Sequence, residues 1–261
     1  MAKRGKSRKK KSVSHQKNWI WGRHAVMEVL EAGRWPIAEL HLRDDLDADL
    51  RDRAEELAKA MNAKISHDSS DRLFELCHTR NNQGLVAKMD DFPYLDSAEE
   101  IAKLQMGAAP FWAILDGIQD AFNFGAIIRS AEVLGVDALC VGTERQAVVN
   151  SQVARSSVGA VNRVPIMQAE SLKDLALQVQ SAGFQIIAAN EKASARISDC
   201  DLVRPTALIL GNEGQGITPE LLDCCDARFR IPQSGEIGSL NVAAAAAIIF
   251  YECQRQRSLA R

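Results

Sequence analysis

The sequence predicts an α/β protein in two parts, a small α/β unit followed by a larger one built on a parallel sheet. Three observations carry this. From Phe111 onward, short continuous apolar runs alternate with helical stretches, the pattern of a parallel sheet covered on both faces. Before Met89 a shorter set of strand and helix patterns stands apart. Between them Pro93, Gly107 and Pro110 punctuate a weakly patterned stretch, as a linker does. With 46% apolar and 25% charged residues in 261, the composition is that of an ordinary globular chain.

Within the first part, the apolar spacing predicts a helix over His24–Glu31, a strand over Ile37–Leu42 and a helix over Leu46–Met61. Ala63–Ser66 and Leu85–Lys88 are further strands, with a helix at Asp71–Cys77 between them. The linker carries one short helix near Ala98–Leu104. In the second part the strands are Phe111–Leu115, Ala138–Val141, Val164–Met167, Phe184–Ala189, Ala207–Leu210 and Arg228–Ile231. Helices are expected at Gly125–Leu134, Ser151–Val161, Leu172–Ala182, Pro219–Cys224 and, last, Leu240–Arg255. The resulting division is a tail over 1–17, a first domain over 18–90, a linker over 91–108 and a second domain over 109–261.

Charge is unevenly distributed. Residues 1–17 hold eight of the 32 lysines and arginines and no acid, leaving 24 bases against all 34 acids in the remainder. A basic arm on an acidic body suits a polyanion partner, though a solubilising tail has the same composition. The apolar run Val242–Tyr251 has ten residues, too few to span a bilayer. No apolar stretch follows the charged N-terminus as in a secretory signal. The six cysteines form no C-x-x-C pair, so a zinc or disulfide framework is not expected and reduced cytoplasmic thiols are.

Ligands of open α/β sheets gather at the carboxyl ends of the strands. Three unusual segments fall there: 116–129, 210–216 and 231–241. The second reads G-x-x-G-x-G, which is neither a dinucleotide fingerprint nor a phosphate loop. Its glycines let main-chain groups approach a ligand closely. Ser239 and Asn241 stand where a helix N-cap belongs, which is reason enough for their presence without any chemistry. All five histidines precede residue 79. A histidine base or histidine-bound zinc in the second domain is thereby disfavoured. The polar groups left are Asn123, Arg129, Glu213, Ser239 and Asn241.

Taken together, these segments resemble the three motifs of the SpoU-type ribose methyltransferases, a TrmH-like branch of the SPOUT superfamily. Asn123, Gly125 and Arg129 match the first; Gly211, Glu213 and Gly214 the second; Ile231, Pro232, Ser239, Leu240, Asn241 and Val242 the third. Order and spacing agree over about 150 residues, and the set is far more specific than any one motif. Upstream, Gly22–Val26 and Asn82–Ala87 resemble the two ends of the small L30e-type RNA-binding domain of the rRNA branch. Asn82 stands where that branch usually has histidine, and Ala243 where a serine is frequent.

The resemblance implies a trefoil-knotted second domain acting as a homodimer. It implies S-adenosylmethionine held by main-chain atoms at Gly211, Ile231 and Leu240, and methyl transfer to an RNA ribose 2′-hydroxyl. It makes Arg129 the essential group. The family's proposal is that this arginine is the base. An arginine stays protonated at neutral pH, so gripping phosphate and stabilising the developing alkoxide is the conservative alternative. Asn123, Ser239 and Asn241 would orient groups around Arg129, and Glu213 would fix the second-motif loop. No metal is expected. The target implied is a guanosine of large-subunit rRNA. A tRNA enzyme, an antibiotic-resistance rRNA enzyme and a non-catalytic ribosome-assembly factor remain open at this point.

Overall fold

The computed structural model describes residues 18–104, 109–236 and 238–260. The basic arm of residues 1–17 lies outside the described residues. Two sheets organise the chain. The first is mixed, in the order β1-β4-β2-β3, from Trp19–Trp21 (β1), Ile37–Arg43 (β2), Lys64–Asp68 (β3) and Leu85–Met89 (β4). β2 and β3 run parallel, and β4 pairs antiparallel with both β1 and β2. Helices Arg23–Ala32 (α1), Ala48–Ala60 (α2) and Ser70–Cys77 (α3) complete this part. β1 gives no sign in the sequence, because its three residues are too few to show an alternation.

The second sheet has six strands, all parallel. They are Phe111–Asp116 (β5), Ala138–Gly142 (β6), Ile166–Ala169 (β7), Gln185–Ala189 (β8), Thr206–Gly211 (β9) and Ala227–Phe229 (β10), ordered β10-β8-β9-β5-β6-β7. Every residue of β5 and β6 is buried. Apolar clusters lie on both faces, which is why these strands read as unbroken apolar runs. The chain steps outward from β5 to β6 and β7, then returns to the other side of β5. The order therefore reverses between β5 and β9, and crevices open at such a reversal, beyond the strand ends.

Helices Ser97–Ala102 (α4), Ala121–Val133 (α5), Ser151–Ser156 (α6), Leu172–Ser181 (α7), Pro219–Leu222 (α8) and Val242–Leu259 (α9) connect or cover this sheet. α9 starts two residues and ends four residues beyond its expected bounds, and two other helices depart as well. α5 begins four residues before Gly125, because the Asp120 carboxylate caps it by accepting the Asn123 N–H at 2.8 Å. The helix expected over Ser151–Val161 stops at Ser156. Val158 and Gly159 take left-handed backbone there, and a short 3₁₀ turn follows over Ala160–Asn162.

The described part of the linker is strapped down. Trp35, Phe92 and Tyr94 stack edge to face, the Val149 N–H donates to the Tyr94 hydroxyl at 2.8 Å, and Leu95 bridges to Met167. The two parts also meet directly. The Arg155 guanidinium lies 4.2 Å from the Trp21 ring centroid, Arg34 Nη1 donates to the Val164 carbonyl at 2.5 Å, and Glu28 faces Arg163 at 3.8 Å. One apolar core runs through both parts. Among the described residues no helix is long and apolar enough to cross a membrane, and all six cysteines are free.

Candidate active site

β5 and β9 pair side by side through to Asp116 and Gly211. Beyond Gly211 the chain makes a closed loop, with reciprocal main-chain bonds between Asn212 and Gly216 of 3.2 and 2.9 Å. Only glycine fits at position 211, because a Cβ there would overlap the main chain of Gly216 and Ile217. Asn212 shapes the loop from within. Its Oδ1 accepts the N–H groups of Gly214 and Gln215, both at 2.8 Å, and its Nδ2 donates to the Gly117 carbonyl at 3.2 Å. Such an Asx turn is the ordinary task of asparagine at a tight bend. Asn212 is not among the site residues expected from the sequence, although Gly211-Asn-Glu-Gly214 carried the signal for it.

Glu213, at the tip, ties the three motifs together. Its Oε1 accepts from Asn123 Nδ2 at 2.8 Å and Asn241 Nδ2 at 2.7 Å, with the Val242 N–H farther off at 3.4 Å. Asn241 Nδ2 also donates to Asn123 Oδ1 at 3.0 Å. Asn241 is the N-cap of α9, its Oδ1 accepting the N–H groups of Ala243 and Ala244. Ser239 takes no part in that cap, and α9 begins two residues after Leu240. Side chains 118 residues apart in sequence are thus joined by bonds between an amide pair and a carboxylate, which are strong and directional.

The carboxylate loop separates two cavities. One, of about 480 Å3, lies beyond the ends of β8, β9 and β10, and Gly211, Glu213, Ile231, Ser239 and Leu240 all line it. Its size suits a small ligand. No main-chain hydrogen bond among the described residues involves the N–H of Ile231 or of Leu240, so both are free to meet a ligand. Asn190, Glu191 and Lys192, just past β8, line it too. The strand-end rule applied to β8 would have found them. The other cavity, of about 350 Å3, is bounded by Ile118, Gln119, Asp120, Asn123 and the far side of the Asn212–Gln215 loop.

Arg129 is elsewhere. It is exposed on the outer face of α5, lines neither cavity, and makes no hydrogen bond or ion pair among the described residues. The residues grouped around Glu213 are Asn123 and Asn241, not Arg129. Gly125 has a packing role, since a Cβ there would fall onto Ser156 Oγ, with Ser156 Cβ at 2.8 Å and Ser157 N at 2.9 Å. That close approach seats α6 against α5. Among the described residues no cluster of three histidines, cysteines or acids is arranged to hold a metal.

Comparison with known proteins places this arrangement. The 23S rRNA (guanosine-2′-O-)-methyltransferase RlmB of Coxiella burnetii is 33% identical over 91% of this chain and 95% of its own length. An uncharacterized tRNA/rRNA methyltransferase of Synechocystis is 31% identical over 93% of this chain, which spans 63% of that protein. The crystal structure of the SpoU methyltransferase AviRb from Streptomyces viridochromogenes, in complex with AdoMet, superposes with a TM-score of 0.76 at 27% identity, covering 94% of this chain and 92% of that one. Residues 19–95 match the domain described as RNA 2′-O ribose methyltransferase substrate binding. Residues 110–251 match the SpoU rRNA Methylase family, and the chain belongs to that family.

Proposed function

We propose that this protein methylates the 2′-hydroxyl of a guanosine ribose in large-subunit rRNA, with S-adenosylmethionine as donor, in the cytoplasm. The observation that carries the reading is the Glu213 carboxylate, held by Asn123 and Asn241 on the wall between two cavities. One cavity fits the donor and the other an incoming nucleoside. Gly211, Ile231 and Leu240 hold the donor through their main chains, with the free N–H groups of Ile231 and Leu240 suited to the adenine edge. Bound there, the donor supplies an electrophilic methyl group on a sulfonium.

The chain's own work is to place and prepare the hydroxyl. The Asn123–Glu213–Asn241 cluster orients the ribose at the wall, and Ser239 lines the donor side. Glu213 spends one oxygen on the two asparagines. Its second oxygen has no hydrogen-bond partner among the described residues and remains available to the ribose. Arg129 grips the target phosphate and stabilises the oxygen as its proton passes to solvent water. No metal is needed for this transfer.

Arg129 reaches the site across a two-fold axis. Phe122, Arg129 and Val133 are exposed along one stripe of α5 with half-buried Ala126 among them, and Ala244, Ile248 and Tyr251 share an exposed stripe of α9. The two helices pack on each other. A patch of this kind, rimmed by polar groups, is the surface a homodimer covers, with the same residues meeting from both sides. In this reading the return of the chain from β10 past Glu213 into α9 forms the trefoil knot, and residues 18–90 are an L30e-like RNA-binding domain. The test is a map of 2′-O-methyl groups in cellular RNA with and without the gene. Loss of one large-subunit guanosine methyl is expected. Loss confined to tRNA, or no loss, overturns the assignment.

A further inference from the structure

The loop Cys77–Gly84 contains the asparagine that departs from the family pattern, and its geometry gives that residue a task inside the protein. Asn82 is 2% exposed. Its Nδ2 donates to the Thr79 carbonyl at 3.1 Å, and its Oδ1 accepts the Gly84 N–H at 3.0 Å. It therefore fixes the loop from beneath and faces no partner. Around it the loop turns outward. His78 and Gln83 both have left-handed backbone, φ 54° and 52°, which non-glycine residues adopt at a cost. Arg80, Asn81 and Gln83 are exposed.

Beside the loop, the Phe74 ring of α3 is 37% exposed. Its cover is Arg80, whose guanidinium carbon stands 5.0 Å from the ring centroid while its side chain is itself 70% exposed. An ion pair with Asp71 at 3.4 Å is equally exposed and weak. The amide of Gln83 accepts the Arg23 N–H through Oε1 at 2.8 Å, which orients its Nε2 side without occupying it. This is one end of the first sheet, where β1 and β2 finish and β4 begins. Trp21 at the same end carries Arg155 of α6, and the next residue, Ser156, donates to the Ala121 carbonyl at the start of α5. Direct contacts thus connect this end to the helix that bears Asn123.

We propose that this end of the first domain binds an unpaired RNA nucleotide, its base stacked on the Phe74–Arg80 pair and its edge met by the Asn81 and Gln83 amides. The proposal rests on the rRNA reading above and names where the substrate is selected. A flat ring under a planar cation accepts any base by stacking. A fixed loop of amides beside it adds hydrogen bonds to an exposed base edge, which only single-stranded RNA offers. Duplex RNA, its bases stacked within, gains nothing from such a platform.

The test uses the full chain and two fluorescein-labelled probes, a 12-nucleotide single-stranded RNA and a blunt duplex of that length. Phe74→Ala and Arg80→Ala should each weaken single-strand binding about tenfold. Phe74→Tyr should bind as the unaltered chain does. Lys64→Ala, exposed at the opposite end of the sheet, should change neither probe. Circular dichroism and adenosylmethionine binding report whether each variant is folded. Folded Phe74→Ala and Arg80→Ala proteins with unchanged single-strand affinity, or an equal loss on both probes, overturn the proposal. If the unaltered chain methylates rRNA while these variants bind normally, only the docking surface falls. If it methylates no RNA, the functional reading falls first.

Discussion

The ends of the two sheets do different work with similar residues. At the end of the parallel sheet, Asn123 and Asn241 direct their amides into a shared cluster and leave one Glu213 oxygen without a partner among the described residues. At the end of the mixed sheet, Asn82 directs its amide inward and holds a loop whose neighbours face outward. The difference follows from topology. A parallel sheet delivers the carboxyl ends of adjacent strands to one side, so segments far apart in sequence converge and enclose cavities. The mixed sheet instead finishes β1, β2 and β3 there and starts β4 between them. It presents turns, which suit surface recognition better than enclosure.

The sharpest way to break this comparison is to remove the one site residue that lies at neither end. Arg129→Ala should lower methyl transfer by about 10³-fold, the scale of a lost charge-stabilising donor. Adenosylmethionine binding should stay near normal, because Arg129 is exposed and lines neither cavity. Single-turnover methylation with isothermal titration separates the two effects. A near-normal rate would take Arg129 off the catalytic list.

The next largest effect concerns how Arg129 reaches the site. Ile248→Glu with Tyr251→Glu places two charges on the exposed stripe of α9. Dimer affinity should fall by roughly 30-fold or more, the measure of a central interface residue. Activity should follow the dimer fraction as the protein is diluted. A monomer by analytical ultracentrifugation that turns over at full rate would show that each chain completes its own site.

Much of the parallel sheet was legible because its strands are buried on both faces and read as plain apolar runs. The first two motif segments were legible for the same reason, since each follows such a run, whereas the third follows β10, whose Ala227 and Arg228 are exposed. What escaped was local chemistry. The start of α5 was misplaced because Ala121, Phe122 and Asn123 carry no helical apolar period, and the Asp120 cap supplies the start instead. The break after α6 depends on left-handed Val158, a residue type that gives no warning of it. Arg129 was grouped with Asn123 by spacing, yet six residues along a helix turn the side chain to another face. Asn82 stood out only as a departure from the branch's usual histidine, and its burial is what gives it a task inside the loop.

A third prediction tests whether the first-motif glycine is there for packing. In Gly125→Ala the added methyl meets Ser156 Oγ and Cβ and the Ser157 N–H. Helix propensity favours the change by about 1 kcal/mol, while overpacking costs about 1–3 kcal/mol, so a net loss is expected. Thermal unfolding should show a lowered midpoint. Ser156→Gly in the same chain should restore part of it, since the Ser157 N–H still stands in the way. An unchanged midpoint would mean that α6 moves freely off α5.

The smallest effect lies at the seam between the two parts. There, buried side-chain atoms lacking a hydrogen-bond partner among the described residues include Arg34 Nη2 and both polar atoms of the Asn162 amide. Glu28 belongs to this seam. Burial pushes its carboxyl above the usual 4.5, Arg163 opposes that shift, and Glu132 and Glu31 add to it. A carboxyl raised in the folded state is destabilising when ionised. The penalty is absent below the unfolded value, grows as pH rises through the interval up to the folded value, and is complete above it. Glu28→Gln removes the charge at every pH. The variant should therefore unfold at a slightly higher temperature than the unaltered chain at pH 7, and the gap should close below about pH 4, where both side chains are neutral. The competing outcome has a clear physical basis in the 3.8 Å approach of Arg163. If that attraction outweighs burial, Glu28→Gln unfolds at a lower temperature at pH 7, and the seam is held together by its ion pair.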